Sequence, residues 1–175
     1  MILRLKFIFI FIFIFIFLSF SAFADNKILL SSLNSELKAD YSFIERSLNQ
    51  SDLKIETSSG TISVDEKVIT VNVLSPFKEI YTIEGDTLQI HDVFLNQKQT
   101  INIQEANNFF LDILINGVAE TSEDYKVNFL SKASIEVIPN DGSDSIKFLF
   151  VDKKLTLIRY KDSLGIEHGI ELTHI

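Results

Sequence analysis

The side chains able to do chemistry in this 175-residue chain are few and scattered. Its three histidines, His91, His168 and His174, have no metal-ligand spacing and read as surface residues, with His174 near a mobile chain end. Asp141-Gly142-Ser143-Asp144 has the residue types of a calcium loop but not the full spacing, and reads as a hairpin turn. Ser59-Gly60 and Ser163-Leu164-Gly165 do not make a nucleophile elbow. There is no cysteine, hence no disulfide or thiolate, and no glycine-rich phosphate loop. The expectation is a protein that is not an enzyme and uses no cofactor or metal, whose information lies in apolar patterning.

That pattern is mainly β. Between Ser59 and Ile103 the segments SGTISV, VITVNVL, KEIYTI, TLQIHD and QKQTINI are separated by the turns DEK, SPF, EGD and VFLN. Ile69, Val71 and Val73 point one way while Thr70 and Asn72 point the other. A weaker first strand starts at Tyr41 and Phe43, ahead of turn material at Asn49-Gln50-Ser51-Asp52. Strands resume at Tyr125, Val127 and Phe129, at Ile135 and Val137, at Ile146, Phe148 and Phe150, and over Leu155 to Tyr160 and Ile166 to Thr173. Two helices interrupt them. Lys27 to Ala39 places Leu29, Leu30, Leu33 and Leu37 on one side, and Gln104 to Asn116 does the same for Ala106, Phe109, Phe110, Ile113 and Leu114. Gly117 is a plausible stop. About ten strands with too few crossover helices for a parallel sheet predict an α+β fold, a strongly curved antiparallel sheet covered by helices.

The first residues carry Arg4 and Lys6, then 12 consecutive apolar residues from Phe7 to Leu18, then Ala22-Phe23-Ala24. This is the layout of a secretory signal peptide, and the apolar run is short of the roughly 18 residues a spanning helix needs. Residues 1–24 are therefore expected to be cleaved, with 25–175 as a single exported domain. No cysteine is present to take a lipid anchor. Removing those 24 residues, with two cations and no anion, leaves 151 residues with 14 Lys+Arg against 24 Asp+Glu, a net charge of −10. Such a charge speaks against nucleic acid as a partner and against an anionic membrane surface.

The ordered set Ser59-Gly60-Thr61-Ile62, Val68 to Leu74, Pro76, Ile80 to Ile83, Glu84-Gly85-Asp86, Leu88 to Asp92 and Gln97, followed by a bulky apolar helix over Asn107 to Ile115, resembles the periplasmic outer-membrane lipoprotein carriers of the LolA family. The likeness is closest over about 60 residues. Departures stand beside it. Gln89 and His91 occupy a strand that is usually aromatic in the family, and Asp65-Glu66-Lys67 replaces a basic-Pro turn whose arginine helps to latch the helical lid. That role is not carried over.

The resemblance implies an incomplete β-barrel closed by helices over an apolar cavity. It implies a cavity lined by Ile62, Val64, Ile69, Val71 and Val73 from the sheet and by Phe109, Phe110, Ile113 and Leu114 from the lid, with Leu29 and Leu33 closing the other side. The implied function is to shield lipoprotein acyl chains across an aqueous compartment. Each methylene contributes about 0.8 kcal/mol, so a chain of roughly sixteen carbons represents about 13 kcal/mol. Lipidated proteins, an inner-membrane lipoprotein export complex and an outer-membrane acceptor are the implied partners, and a monomer is expected. A lipid-sensing or protein-interaction module on the same half-barrel is the alternative. Apolar alternation by itself fits an ordinary filled core equally well.

Overall fold

The computed structural model describes residues 26–49, 53–106 and 108–175. The expected signal peptide over 1–24, and the Gln50-Ser51-Asp52 part of the expected turn, lie outside the described residues. Helix α1 covers 26–36 and ends earlier than the apolar spacing predicts, because Leu37, Lys38 and Ala39 form turns and a bend. The strands that follow are β1 (Tyr41–Asn49), β2 (Lys54–Asp65), β3 (Val68–Ser75), β4 (Glu79–Glu84), β5 (Thr87–Asp92) and β6 (Gln97–Asn102). After helices α2 (Ile103–Ala106) and α3 (Phe109–Asn116) come β7 (Tyr125–Ser131), β8 (Ser134–Pro139), β9 (Ile146–Val151), β10 (Lys154–Lys161) and β11 (Ile166–His174).

All eleven strands form one sheet in the order β6-β5-β4-β3-β2-β1-β11-β10-β9-β8-β7. Every neighbour is antiparallel. The sheet is curved and does not close, since β6 and β7 remain as its two edges. Strand β2 begins five residues before the expected Ser59, pairing Lys54 with Asn49 and so extending the β1–β2 hairpin. The single helix expected over Gln104 to Asn116 is instead two, with Asn108 in an extended conformation capping α3 by accepting the Leu111 N–H at 3.2 Å.

Alternation sorts side chains onto two faces. Ile146, Phe148 and Phe150 of β9 are buried with Ile135 and Val137 of β8, while Lys147 and Val151 are exposed. The helices cover this inner face. Leu29, Leu30, Leu33 and Leu37 of the α1 region pack there with Tyr41 and Phe43 of β1, Leu155 and Ile158 of β10, and Ile170 and Leu172 of β11. A second cluster, Ile69, Ile83, Leu88 and Ile103, lies under β2–β6. Gly60 makes the bend between them possible. A Cβ there would stand 1.9 Å from the Asn72 carbonyl oxygen and 2.9 Å from the Phe43 ring, and the β2–β3 register shifts at this point.

Topology dictates where α3 goes. Because β6 and β7 are opposite edges, the chain joining them spans the sheet, and α3 in that crossing packs on the inner face. It is the element that a cavity, if present, must sit beneath.

Candidate functional site

Helix α3, FFLDILIN, is apolar on nearly all sides and wedges between the two clusters. Phe109, Phe110 and Leu114 pack against the first, in which Ile113 is 1% exposed. Leu111 and Ile115 pack, again with Leu114, against the second. Reading one helical face from the sequence finds the first set and misses Leu111 and Ile115. A helix that is apolar all round is the signal for burial on both flanks.

A cavity of about 240 Å³ lies beside α3 at the ends of β2–β5 that carry the Asp65-Glu66-Lys67 and Glu84-Gly85-Asp86 turns. Its apolar lining is Leu37, Val64, Ile69, Ile83, Leu114 and Ile115, and Glu66, Lys67 and Gly85 stand on its wall. Of the residues expected to line a cavity, Val64, Ile69 and Leu114 do so. Ile62 and Val71 touch both clusters, and Val73 packs on the first. Phe109, Phe110 and Ile113 belong to the first cluster as well, and Leu29 and Leu33 are core leucines there, Leu33 with no exposed surface. The α1 leucines belong to the first cluster with residues of β8–β11, whereas this cavity lies at the β2–β5 half of the face. Its volume is below the roughly 300–1,000 Å³ of common small-molecule pockets. Admitting a long acyl chain therefore requires α3 to move away from the sheet.

Discrete contacts hold α3 at both ends. Beyond its C-terminus, the Asn34 side chain donates from Nδ2 to the Val118 carbonyl and accepts the Val118 N–H on Oδ1, both at 2.8 Å. This copies the paired bonds of a strand neighbour and ties the exit of α3 to α1. Gly117, at φ 72°, donates its N–H to Ile113 at 2.9 Å, and any Cβ there would stand 2.7 Å from Asn34 Oδ1. At the other end, Phe110 stacks on Tyr160 with ring centroids 4.3 Å apart and planes 11° from parallel. Tyr160 in turn stacks on His168 at 4.6 Å and 6°.

His168 completes this column, bracketed by two carboxyl groups. Its Nδ1 is 2.7 Å from Glu45 Oε1 and its Nε2 is 3.3 Å from Asp162 Oδ2. The bond to Glu45 raises the imidazole above its usual range; burial opposes this and Asp162 adds to it. The same bond lowers the Glu45 carboxyl, against burial and with help from Ser58 Oγ at 3.0 Å. Burial raises the Asp162 carboxyl, but the Ile166 N–H, His168 and the Leu164 N–H outweigh it, and the net direction is down. Burial pushes the Tyr160 hydroxyl up, as do Glu45 and Asp162. His168 thus departs from the surface role expected of it. The cause lies in the pairing of β1 with β11, which brings residues more than a hundred apart together, and in that of β10 with β11, which sets Tyr160 opposite His168.

His174 also departs from expectation. It is not a loose chain end: Nε2 is 2.8 Å from Glu36 Oε2 and its ring lies 4.6 Å from that of Tyr41. The same carboxylate takes the Tyr41 hydroxyl at 2.9 Å and the Leu155 N–H at 2.8 Å, fastening the end of α1 to β1 and β10. Burial raises Glu36, but the bonds from Leu155, His174 and Tyr41 turn the net shift downward. His91 is half-buried on β5, with Nε2 3.4 Å from Asn96 Oδ1. Among the described residues no group of three or more His, Cys, Asp or Glu is disposed to hold a metal ion.

No protein-family profile matches this sequence, and no curated protein matches it. Solved structures do. The chain is similar to the LolA superfamily protein NE2245 from Nitrosomonas europaea, with a TM-score of 0.48 at 9% identity over 84% of this chain and 90% of that one. It is similar to a conserved protein from Thermus thermophilus, with a TM-score of 0.47 at 10% identity over 86% and 87%. It is also similar to a chain of the MucA/MucB complex of Pseudomonas aeruginosa, with a TM-score of 0.41 at 9% identity over 83% of this chain and 54% of that one.

Proposed function

We propose that this chain is an exported carrier that holds acyl chains of lipidated proteins between the β2–β5 face and α3, and moves them from the inner to the outer membrane. The observation that carries the reading is α3 itself: an eight-residue helix apolar on both flanks, laid over an antiparallel sheet beside a cavity walled by Val64, Ile69, Ile83 and Leu114 together with polar groups such as Asn34, Lys38 and Glu66, and held by contacts at its two ends. A helix serving only as core has no need of a vacancy beside it, because interiors are close-packed. Lifting α3 exposes Ile62, Val64, Ile69, Val71 and Val73 together with the underside of Phe109, Phe110, Ile113 and Leu114, one continuous surface on which an acyl chain replaces helix contacts with its own. Release follows when the helix returns. Leu29 and Leu33, on the packed face of α1, form the fixed wall.

Residues 1–24 direct export and are removed, residues 25–175 are the working domain in the periplasm, an inner-membrane export complex loads it and an outer-membrane acceptor receives the cargo. The closed cavity's small volume favours a second reading, a lipid-sensing or protein-interaction module on the same fold with no transport role. Titration of purified protein with a fluorescent acyl probe tests the first: saturable uptake competed by a lipopeptide supports carriage, and absence of uptake refutes it. Depletion of the protein followed by fractionation of envelope lipoproteins separates carriage from sensing, since only a carrier's loss strands lipoproteins at the inner membrane.

A further inference from the structure

Strands β3–β6 end in two unlike rims. At one end the connecting turns are charged, Asp65-Glu66-Lys67 between β2 and β3 and Glu84-Gly85-Asp86 between β4 and β5. At the other end β3 finishes with Leu74 and Ser75, the β3–β4 connection carries Phe77, and the β5–β6 turn is Val93-Phe94-Leu95-Asn96. The two connections touch, with the Val93 N–H donating to the Lys78 carbonyl at 3.0 Å. All five apolar side chains are exposed, Phe77 to 74% and Phe94 to 89%.

This tip is built to project. Asp92 accepts the Leu95 N–H at 2.8 Å, which fixes the turn with Phe94 outward. Glu79 accepts the Tyr81 hydroxyl at 2.5 Å. Both nearby carboxylates are thereby engaged within the fold, while Lys78 and Lys98 are exposed beside the apolar groups. Segments 74–79 and 91–98 each sum to zero formal charge, on a chain whose net charge is −8.

We propose that this tip docks on a zwitterionic lipid bilayer, with Phe77 and Phe94 entering the acyl boundary and Lys78 and Lys98 at headgroup level. Local neutrality removes the repulsion that the rest of the chain would meet, and the lysine stems let their ammonium groups reach the headgroups. Area and shape favour a bilayer over a folded partner. The two phenylalanines offer roughly 300 Å² and the three aliphatic residues about as much again, short of the roughly 800 Å² per side of a standard protein interface. Projecting turn tips also need no matching groove in a fluid interface. The proposal goes beyond the carrier reading and does not depend on it, because the cavity lies at the opposite, charged end of these strands.

The chain contains no tryptophan, so Phe94→Trp creates a unique fluorophore in the full chain. Val151→Trp, on the opposite rim, is the control. With phosphatidylcholine vesicles, the fluorophore at the tip is expected to shift to the blue and to be quenched several-fold by brominated acyl chains, while the control is not. Adding Phe77→Asp to the Phe94→Trp chain should cut that quenching by about threefold or more. The proposal is overturned if the tip fluorophore neither shifts nor is quenched, if tip and control are quenched alike, or if the shift appears without lipid and grows with protein concentration, which would assign the tip to a second copy. Uptake of a soluble acyl probe should be unchanged in these variants, so failure here and failure of the carrier reading register separately.

Discussion

The Phe110–Tyr160 stack is expected to set how readily α3 lifts. Near-parallel rings with centroids 4.3 Å apart contribute about 0.5–1.5 kcal/mol beyond simple area burial. Replacing either ring by leucine retains apolar volume and removes the stack. Tyr160→Leu also strips the ring from His168, so its single effect should exceed that of Phe110→Leu. The double-mutant cycle isolates the pair: stabilities from urea denaturation of wild type, both singles and the double should give a coupling of about 1 kcal/mol. In hydrogen exchange the same quantity should appear locally. Protection of the Ile113 and Leu114 amides should fall about fivefold in Phe110→Leu, the equivalent of about 1 kcal/mol, while β9 amides change less. Faster acyl-probe uptake should accompany the loss. A coupling within about 0.3 kcal/mol of zero, or α3 and β9 protection falling in step, would refute the idea that this column fastens the helix.

The His168 bracket makes the same latch sensitive to pH. Because Glu45 raises the imidazole, its contribution is fully present below the unfolded value of about 6.5 and is lost as pH rises through the higher folded value. Glu45 and Asp162 are lowered, so their share is present above about pH 4 and is lost only as pH falls through their depressed values. Thermal midpoints should therefore decline from pH 6.5 upward in wild type and lose that decline in His168→Gln. Asn34→Leu leaves the Val118 N–H and carbonyl without their partner, which costs about 2–4 kcal/mol and should lower the midpoint by roughly 4–16 °C in calorimetry. Gly60→Ala places a methyl 1.9 Å from the Asn72 oxygen; a loss of about 1–3 kcal/mol or more is expected on urea titration, against little change for Ser59→Ala. Ile113→Asp buries a charge at a position 1% exposed and should abolish acyl uptake; undiminished uptake in a folded variant would remove α3 from the site.

Strand existence is written in two-residue alternation, and for that reason the strands between Ser59 and Thr173 are legible in the sequence. Where local rules compete, the sequence is silent. The break between α2 and α3 falls inside a continuous helical spacing, and what divides them is the side chain of Asn108 turning back onto the Leu111 N–H. The early part of β2, Lys54 to Ser58, has no apolar alternation to announce it and becomes a strand because β1 offers it partners. For the candidate site, the apolar residues of β2, β3 and α3 are legible from their types, but their division between filled core and open cavity is not. That division depends on α1 leucines occupying one half of the face, a fact of three-dimensional placement. Fasteners such as Asn34 with Val118 and His168 with Glu45 join residues 84 and 123 positions apart, a separation at which a single sequence carries no pairing signal.

The unclosed sheet couples its own curvature to the position of α3. The chain from β6 to β7 strings one free edge to the other, as a cord strings a bow, and α3 is the middle of that cord. Flattening the bow tightens the cord and bending it slackens the cord, so helix height and sheet curvature cannot be varied separately. A guest that pries the edges apart would haul the helix along with them, and a mutation stiffening the strands far from any guest would resist the same displacement.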